Sequence, residues 1–445
     1  MIKYNKWTTR LLSGSLLASI FLAVPEAAAA VEPIEVSSEA AFVIDNETNK
    51  ILLNQNGDAS LYIASMTKMI PLYLVHEAIE AGTIAWDTPV PISDYALAIS
   101  QNYELSNVPL RKDFTYTVKD LYEAMVVYSA NGATIAVAEL IAGSEPAFVD
   151  MMKEKLDAWG VTGHALYNTT GLPNHYAAEL GNLYPNAPVD EENKMTARGI
   201  ATVADHLLDD YPEVLEVAKI EDKVFMEGSG DEIHMMTYNL MLPNQPYARA
   251  GVDGLKTGTT DASGASFTGT ALQDDMRVIT VVIGAEDNDG RFGETARLMD
   301  FAFGNFEKVQ IASSGDAVAT EEKLTIAKGK EETVGLIYNE DIFVVTPKTE
   351  EERVVATELT LNSELLNADG LIEAPIEKGT TVGNVALSIE GDDLGYLDGS
   401  QNEATVAVER TVEKANFLVL AWRWVANTAA NGWNSVTDFV GGFFS

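Results

Sequence analysis

Hydrophobic positions recur along the N-terminal part of the chain with the periods of strands and helices. Two apolar runs at residues 40–44 and 51–53 flank a polar, turn-like segment and predict a β-hairpin. Residues 64–81 carry apolar side chains at helical spacing and predict a helix with Ser65 at its N-terminus. Pro71 lies inside this pattern, and because proline has no backbone N–H, we expect it to bend the second turn of the helix.

Helical and strand patterns then alternate up to about residue 303. The string Ser129-Ala-Asn131 interrupts the first helical run and is therefore expected on a loop between helices. The string that begins at Lys256 precedes the paired strands, so we expect it on a strand that lines a cleft opposite Ser65. The predicted elements are helices at residues 118–142, 146–159 and 291–303, and paired strands at residues 265–272 and 277–284.

From about residue 309 to residue 408 the pattern changes to short β-branched runs separated by clusters of Gly, Asp and Glu. Such runs predict strands, and we interpret this region as a separate all-β domain. It carries none of the catalytic strings described below, so we expect it to act as a spacer or in partner contact. The runs are residues 323–326, 342–346, 354–361, 381–387 and 404–408.

The last 35 residues form an amphipathic pattern that holds three of the six tryptophans. Apolar residues recur at steps of three and four from Leu418 to Phe443, so on a helix they share one face. The longest uninterrupted apolar run, residues 417–422, is too short to span a membrane. We expect a helix that lies on a membrane surface, although only Lys414 and Arg423 are basic. Docking of this helix onto the β domain is the alternative.

The N-terminus has the organisation of a secretory signal peptide. Three basic residues precede a largely apolar stretch at residues 11–24, and Ala28-Ala-Ala30 supplies the small residues of a cleavage site. We expect cleavage near Ala30, which removes three positive charges and one negative charge and changes the net charge from −38 to −40. The protein is therefore expected to act outside the cytoplasm.

Composition excludes several classes of function. With 29 Lys and Arg against 67 Asp and Glu, the surface repels the phosphate backbone, so no nucleic-acid partner is expected. The chain has no cysteine, which excludes disulfides, thiolate metal sites and a cysteine nucleophile. Its five histidines show no close metal-ligand spacing, so we expect neither a metal nor another cofactor, and a zinc peptidase is disfavoured.

Three short strings in fixed order carry the candidate chemistry: Ser65-Met-Thr-Lys68, Ser129-Ala-Asn131 and Lys256-Thr-Gly258. Together they form the signature of serine–lysine acyl transfer, in which a lysine activates the serine nucleophile. Each string alone is weak, and their order supplies the specificity. A further Ser-x-Asn string, Ser400-Gln-Asn402, follows the Lys-Thr-Gly string in a turn-like run, and we discard it.

The first two strings supply the predicted catalytic residues. A serine hydroxyl needs a neighbouring base, and Lys68 lies one helical turn from Ser65 on the same face. To act as a base near neutral pH this lysine needs a lowered pKa, which burial and a second cation such as Lys256 both produce. Ser129 is suited to relay a proton between the lysine and the leaving amine.

The remaining residues of the strings are the predicted substrate contacts. Asn131 is suited to hold a substrate amide. Lys256, Thr257, Gly258 and Thr259 lie on one strand, where a cation and hydroxyls suit the free carboxylate of a substrate. The backbone N–H groups of Ser65 and Thr259 are the expected pair for an oxyanion hole.

The chain resembles the low-molecular-weight penicillin-binding proteins of the serine D-alanyl-D-alanine carboxypeptidase family, from about Glu35 to the C-terminus. Other strings resemble family strings in family order: residues 167–172, the Asn239-containing segment before residues 252–258, residues 291–295 with 298–301, and residues 374–379. The resemblance implies a penicillin-binding transpeptidase or β-lactamase-like catalytic domain of the α/β (α+β) class, an antiparallel sheet with flanking helices and a helical lobe. It implies that Ser65 attacks a peptidoglycan stem peptide, releases its terminal D-alanine, and is acylated by β-lactams.

Pattern and resemblance together divide the chain into four parts. We expect a signal peptide at residues 1–30, the carboxypeptidase domain at 31–308, the all-β domain at 309–410 and a membrane-association helix at 411–445. The expected location is the bacterial cell envelope, with peripheral attachment to the outer face of the cytoplasmic membrane.

Two other functions remain as alternatives. A secreted serine β-lactamase shares the three strings, but the string Glu179-Leu-Gly-Asn182 has the wrong spacing for its deacylating Glu-x-x-Leu-Asn motif. A non-catalytic cell-wall scaffold protein would act through the β domain instead.

Family members often carry histidine after Lys-Thr-Gly, and Thr259 stands there in this chain, which leaves substrate preference and deacylation rate open.

Overall fold

The computed structural model describes residues 31–425 except 33, 231, 319–322, 349–353, 390–393, 398, 400–401 and 424. The predicted signal peptide at residues 1–30 and most of the predicted terminal helix therefore lie outside the described residues. So do Ser400 and Gln401 of the discarded string.

The part of the chain up to Asn305 combines strands with helices. The strands are β1 (Ala40–Asp45), β2 (Ile51–Gln55), β3 (Leu61–Tyr62), β4 (Pro89–Val90), β5 (Tyr116–Thr117), β6 (Lys194–Met195), β7 (Asp222–Phe225), β8 (Ile233–Met236), β9 (Val252–Thr260), β10 (Gly264–Gln273) and β11 (Met276–Ala285). The helices are α1 (Met69–Glu80), α2 (Asp94–Ser100), α3 (Val118–Val127), α4 (Asn131–Ala142), α5 (Glu145–Ala158), α6 (Asn174–Glu179), α7 (Ala197–Asp210), α8 (Val214–Ala218) and α9 (Asn288–Asn305). A 3-10 helix at Ala64–Lys68 leads directly into α1.

An antiparallel five-stranded sheet in the order β2-β1-β11-β10-β9 forms the centre of this part. Both of its faces are buried, each against a different core. Alternate residues of a strand point to opposite sides, so one strand contributes to both cores. In β1, Phe42 and Ile44 join the core shared with α1 to α8, while Ala41 and Val43 join the core under α9. The strand β9 lies at one edge of the sheet, next to the 3-10 helix that carries Ser65.

The predicted hairpins are confirmed. The strands β1 and β2 pair as expected, and β10 and β11 are joined by Asp274 and Asp275. Both aspartates have positive φ, 46° and 63°, as a two-residue hairpin turn of the I′ type requires. The helices predicted at residues 118–142, 146–159 and 291–303 correspond to α3 with α4, to α5 and to α9.

The helix predicted over residues 64–81 differs in detail. It is a 3-10 helix followed by α1, so Pro71 is the third residue of an α-helix and not a residue of a second turn. Its missing N–H falls where an α-helix has no internal acceptor, and α1 continues through the proline to Glu80.

Residues 306–412 form β strands around a third core, as the sequence pattern predicts. The strands are β12 (Phe306–Ala312), β13 (Leu324–Ala327), β14 (Thr333–Val334), β15 (Leu336–Tyr338), β16 (Ile342–Pro347), β17 (Val354–Leu361), β18 (Ile372–Glu373), β19 (Thr381–Ile389) and β20 (Asn402–Val408). They form sheets in the orders β12-β16, β14-β13-β18 and β15-β20-β19-β17, in which the β13–β18 pair is parallel and the others antiparallel. The strand β12 begins directly after α9.

The terminal segment is helical over residues 417–423. Across the described ranges, no single helix is both long and apolar enough to cross a membrane. One pair bent by 82°, α4 with α5, would reach that length and composition only together.

Candidate active site

The 3-10 helix Ala64–Lys68 leaves Ser65 partly exposed and buries Lys68 behind it. Ser65 is half-buried, while Lys68 is 0% exposed. The Lys68 Nζ lies 2.9 Å from Ser65 Oγ, 2.7 Å from Asn131 Oδ1 and 2.8 Å from the Thr170 carbonyl oxygen. Two residues of different strings therefore meet at the lysine amine, and Thr170 is a third partner that the strings do not contain.

The environment of Lys68 favours its neutral form. Burial lowers the pKa of Lys68 well below its usual value, and the nearby Lys256 lowers it further, whereas Glu145 acts in the opposite direction. A neutral amine donates two hydrogen bonds and keeps one lone pair. With the Asn131 and Thr170 oxygens as acceptors, that lone pair is available to the Ser65 hydroxyl.

The loop between α3 and α4 supplies Ser129 and Asn131. Ser129 has a positive φ of 55°, and Asn131 is the first residue of α4. The Ser106 carbonyl accepts hydrogen bonds from the backbone N and the Nδ2 of Asn131, which orients Oδ1 toward Lys68. The Oγ of Ser129 is buried and has no hydrogen-bond partner among the described residues, so its hydrogen-bonding capacity is unused.

The third string lies on β9, which packs against the 3-10 helix that carries Ser65. Lys256 is 3% exposed, and burial together with the neighbouring Arg291 lowers its pKa to about 7. A Cβ on Gly258 would lie 2.7 Å from the Ile63 carbonyl oxygen, so only glycine allows β9 to approach the 3-10 helix this closely. Thr257 is buried on the same strand.

Thr259 and Arg291 form a polar pair that the sequence analysis did not assign. Thr259 is exposed, and Arg291 Nη1 from α9 donates to its Oγ1 at 2.9 Å, to the Gly258 carbonyl at 3.2 Å and to the Ser266 carbonyl at 3.3 Å. The guanidinium is buried, and burial lowers the pKa of Arg291 to about 10. Arg291 lies in the family-like string at residues 291–295. Only the fold brings this residue of α9 into contact with Gly258 and Thr259 of β9.

Two buried asparagines hold the segment that carries Thr170. Asn193 Oδ1 accepts from the Tyr167 N at 2.7 Å, and its Nδ2 donates to the Asn168 carbonyl at 2.8 Å and to Thr67 Oγ1 at 3.2 Å. Asn168 Oδ1 in turn accepts from the backbone N of Thr170 and of Gly171. These contacts join residues far apart in the chain. Residues 167–172 resemble a family string, but no local signal in the sequence marks Asn193.

The geometry brings Ser65, Lys68 and Asn131 into direct contact, and Lys256 lies close enough to lower the pKa of Lys68. Gly258 packs against the 3-10 helix, and Thr259 accepts from Arg291. Ser129 and Thr257 adjoin them in the chain. Within the described ranges, no group of three or more His, Cys, Asp or Glu side chains is arranged to hold a metal ion.

Comparisons with known proteins place the chain in one family. The family model of D-alanyl-D-alanine carboxypeptidases (Peptidase_S11) matches residues 26–287, and the model of the penicillin-binding protein 5 C-terminal domain matches residues 306–414. The D-alanyl-D-alanine carboxypeptidase DacF of Bacillus subtilis is 28% identical over 420 residues, 93% of this chain and 97% of the relative. The DacC enzyme of Escherichia coli is 28% identical over 433 residues, 96% of this chain and 97% of the relative.

Solved structures show the same fold. A peptidoglycan synthesis regulatory factor (PBP3) from Streptococcus pneumoniae is 38% identical with a TM-score of 0.73, and covers 85% of this chain and 100% of its own. Penicillin-binding protein 5 from Haemophilus influenzae is 27% identical with a TM-score of 0.67, over 86% of this chain and 100% of its own. The chain therefore belongs to the D-alanyl-D-alanine carboxypeptidase family, serine-type hydrolases with a penicillin-binding protein fold.

Proposed function

We propose that this chain removes the terminal D-alanine from peptidoglycan stem peptides through an acyl-enzyme on Ser65. The observation that carries the proposal is the buried Lys68 amine, which contacts Ser65 Oγ at 2.9 Å in surroundings that favour its neutral form. This is the arrangement that a serine nucleophile requires of its base.

The reaction follows from these contacts. Lys68 accepts the Ser65 proton while Oγ attacks the carbonyl carbon of the penultimate D-alanine. The backbone N–H groups of Ser65 and Thr259 stabilise the oxyanion. Collapse breaks the C–N bond, and Ser129 passes the proton from Lys68 to the leaving amine. Water then attacks the ester carbonyl and loses a proton to Lys68, and Lys68 passes that proton to Ser65 Oγ as the acyl C–O bond breaks.

The substrate lies along the free edge of β9 in an extended conformation. Its terminal carboxylate binds at Lys256 and Thr257, and its amide contacts Asn131. Arg291 donates to Thr259 and adds a second positive charge beside Lys256. β-Lactams acylate the same serine, and solved relatives from Listeria monocytogenes hold ampicillin and cefotaxime.

The test uses purified protein, a peptide that ends in D-Ala-D-Ala, and mass spectrometry after incubation with penicillin. We expect free D-alanine and one penicillin adduct, located on Ser65, and neither product with Ser65→Ala. Ser129→Ala is expected to lower turnover strongly. Ser400→Ala, in the discarded Ser-x-Asn string, is its matched control and is expected to retain full activity.

The same experiment separates the alternatives. Rapid release of hydrolysed penicillin would identify a β-lactamase, whereas a long-lived adduct supports the carboxypeptidase. If Ser65→Ala changed neither D-alanine release nor the phenotype of cells, the scaffold function would replace the catalytic one.

We also propose that the exported protein attaches to the outer face of the cytoplasmic membrane through its terminal helix. Arg423, on the polar side of this helix, donates to the Gly329 and Lys330 carbonyls at 2.7 Å each and pairs with Glu332 at 2.9 Å. The polar side thus contacts the β domain. The side chains of Phe417, Leu418 and Trp422 are 81%, 76% and 74% exposed, which is the face a membrane interface would receive.

Truncation tests this attachment. The deletion should begin at Phe417, because Val412 is fully buried in the core of the β domain and Ala415 is buried beside it. We expect the truncated protein to move from the membrane fraction to the soluble fraction. Arg423→Gln is the control and should stay with the membrane. An unchanged membrane fraction after truncation would show that the helix serves to dock on protein.

A further inference from the structure

Glu145 is a buried carboxylate outside the three strings. It is the first residue of α5 and is 2% exposed. Its Oε1 accepts hydrogen bonds from Thr169 N at 2.9 Å and Thr169 Oγ1 at 2.7 Å, and its Oε2 accepts from the Tyr95 hydroxyl at 2.8 Å. Burial raises its pKa, and the bonds from Thr169 and Tyr95 oppose that rise.

Helix capping does not account for this carboxylate. An acidic residue in the first turn ordinarily stabilises its own helix. Here Ser144 is the N-cap residue of α5 and its Oγ accepts from the Ala147 N. The donors to Glu145 come instead from α2 and from the segment after α5. The carboxylate therefore joins separate parts of the helical lobe.

The segment it holds is the one that contacts Lys68. Thr169 precedes Thr170, whose carbonyl accepts from Lys68 Nζ at 2.8 Å. Asn168 Oδ1 binds the N and Oγ1 of Thr170 on one side, and Glu145 binds Thr169 on the other. The carbonyl of Thr170 is thus fixed between two buried anchors.

We propose that Glu145 is a positioning residue for acyl transfer: by holding Thr169 it fixes the Thr170 carbonyl, which directs the Lys68 amine at Ser65 Oγ. Glu145 touches neither substrate nor Ser65, so its removal should slow acylation without weakening binding. A small displacement of a catalytic group is sufficient to cost about 100-fold in rate. This inference rests on the proposed roles of Ser65 and Lys68.

The first test compares Glu145→Leu with Glu145→Gln by stopped-flow acylation with a fluorescent penicillin, which separates the acylation rate constant from the dissociation constant of the initial complex. We expect Glu145→Leu to lower the rate constant about 100-fold and to change the dissociation constant less than about twofold. Glu145→Gln keeps an acceptor oxygen for Thr169 and is expected to stay within about threefold of the wild type.

Glu294 provides a matched control. It is 6% exposed in α9, on the other face of the sheet, and accepts from the Ser37 hydroxyl and from the backbone N of Ser37 and Ser38 at 2.7 and 3.2 Å. Glu294→Leu should lower thermal stability and leave the acylation rate of the folded protein unchanged. Equal rate losses in Glu145→Leu and Glu294→Leu would overturn the proposal, and so would a Glu145→Gln variant as slow as Glu145→Leu.

A second pair of variants serves if Glu145→Leu does not fold. Tyr95→Phe removes one hydrogen bond to Glu145, and Tyr73→Phe removes an equivalent one, to Asp210 at 2.8 Å, from a tyrosine that is also 7% exposed. We expect Tyr95→Phe to lower the acylation rate constant by about threefold to tenfold and Tyr73→Phe to leave it unchanged. Equal rates in the two variants would overturn the proposal. A wild-type protein that forms no adduct would instead refute the proposed function itself.

Discussion

Lys256 illustrates how the active site works against stability. Its pKa falls from an ordinary value of 10.5 to about 7, first through burial and second through Arg291. The buried ammonium form therefore lowers the free energy of unfolding. This loss has its full value below about pH 7 and disappears as the pH rises to about 10.5. At 1.36 kcal/mol for each pKa unit, that loss is about 5 kcal/mol.

Lys256→Met removes the buried charge and keeps most of the volume of the side chain. We expect the free energy of unfolding to rise by about 2 to 5 kcal/mol at about pH 6. The gain should shrink by about 1.4 kcal/mol for each pH unit above about pH 7, because the wild-type lysine is then neutral when folded and charged when unfolded. The same variant should lose affinity for peptides with a free terminal carboxylate.

Urea unfolding at several pH values measures this effect, with the fluorescence of Trp86 and Trp159 as the signal from the catalytic part. Lys219→Met is the control, since its amine is half-exposed and pairs with Glu216. A surface charge of this kind contributes about 0 to 1 kcal/mol. A gain for Lys256→Met that did not depend on pH, or a loss at about pH 6, would refute the electrostatic argument.

Three further predictions follow from the site. Arg291→Gln should move the alkaline limb of kcat/KM to higher pH, because Arg291 lowers the pKa of Lys256; an unmoved pH–rate profile would contradict this. Gly171→Ala should prevent penicillin acylation, since the added Cβ would lie 1.8 Å from the Ala64 carbonyl oxygen. Gly181→Ala is the control: Gly181 has a similar φ of +71° but open space around it, so this variant should retain activity in the same assay. Asn193→Ala should lower the free energy of unfolding by about 2 to 3 kcal/mol and slow acylation, both measured on one preparation, because buried groups lose their partners.

Local patterns were sufficient for the elements and for the residues within each string. The hairpin at Asp274 and Asp275 and the placement of Lys68 one turn after Ser65 depend on neighbours within a few residues, and short-range geometry determines them. Pro71 shows the limit of this reasoning, because its effect depends on where the α-helix begins, and that position is set by packing of the 3-10 helix against β9.

The sequence by itself therefore determined the pairing of Ser65 with Lys68, the order of the strings and the strand-rich C-terminal part. The tertiary structure decided which distant groups surround these residues: Arg291 beside Lys256, Asn193 beneath Asn168, and Glu145 behind the carbonyl that faces Lys68. Pattern alone does not reveal these partners. Hydrogen bonds and pKa shifts depend on distance and burial in the folded chain, and separation along the sequence carries no information about either.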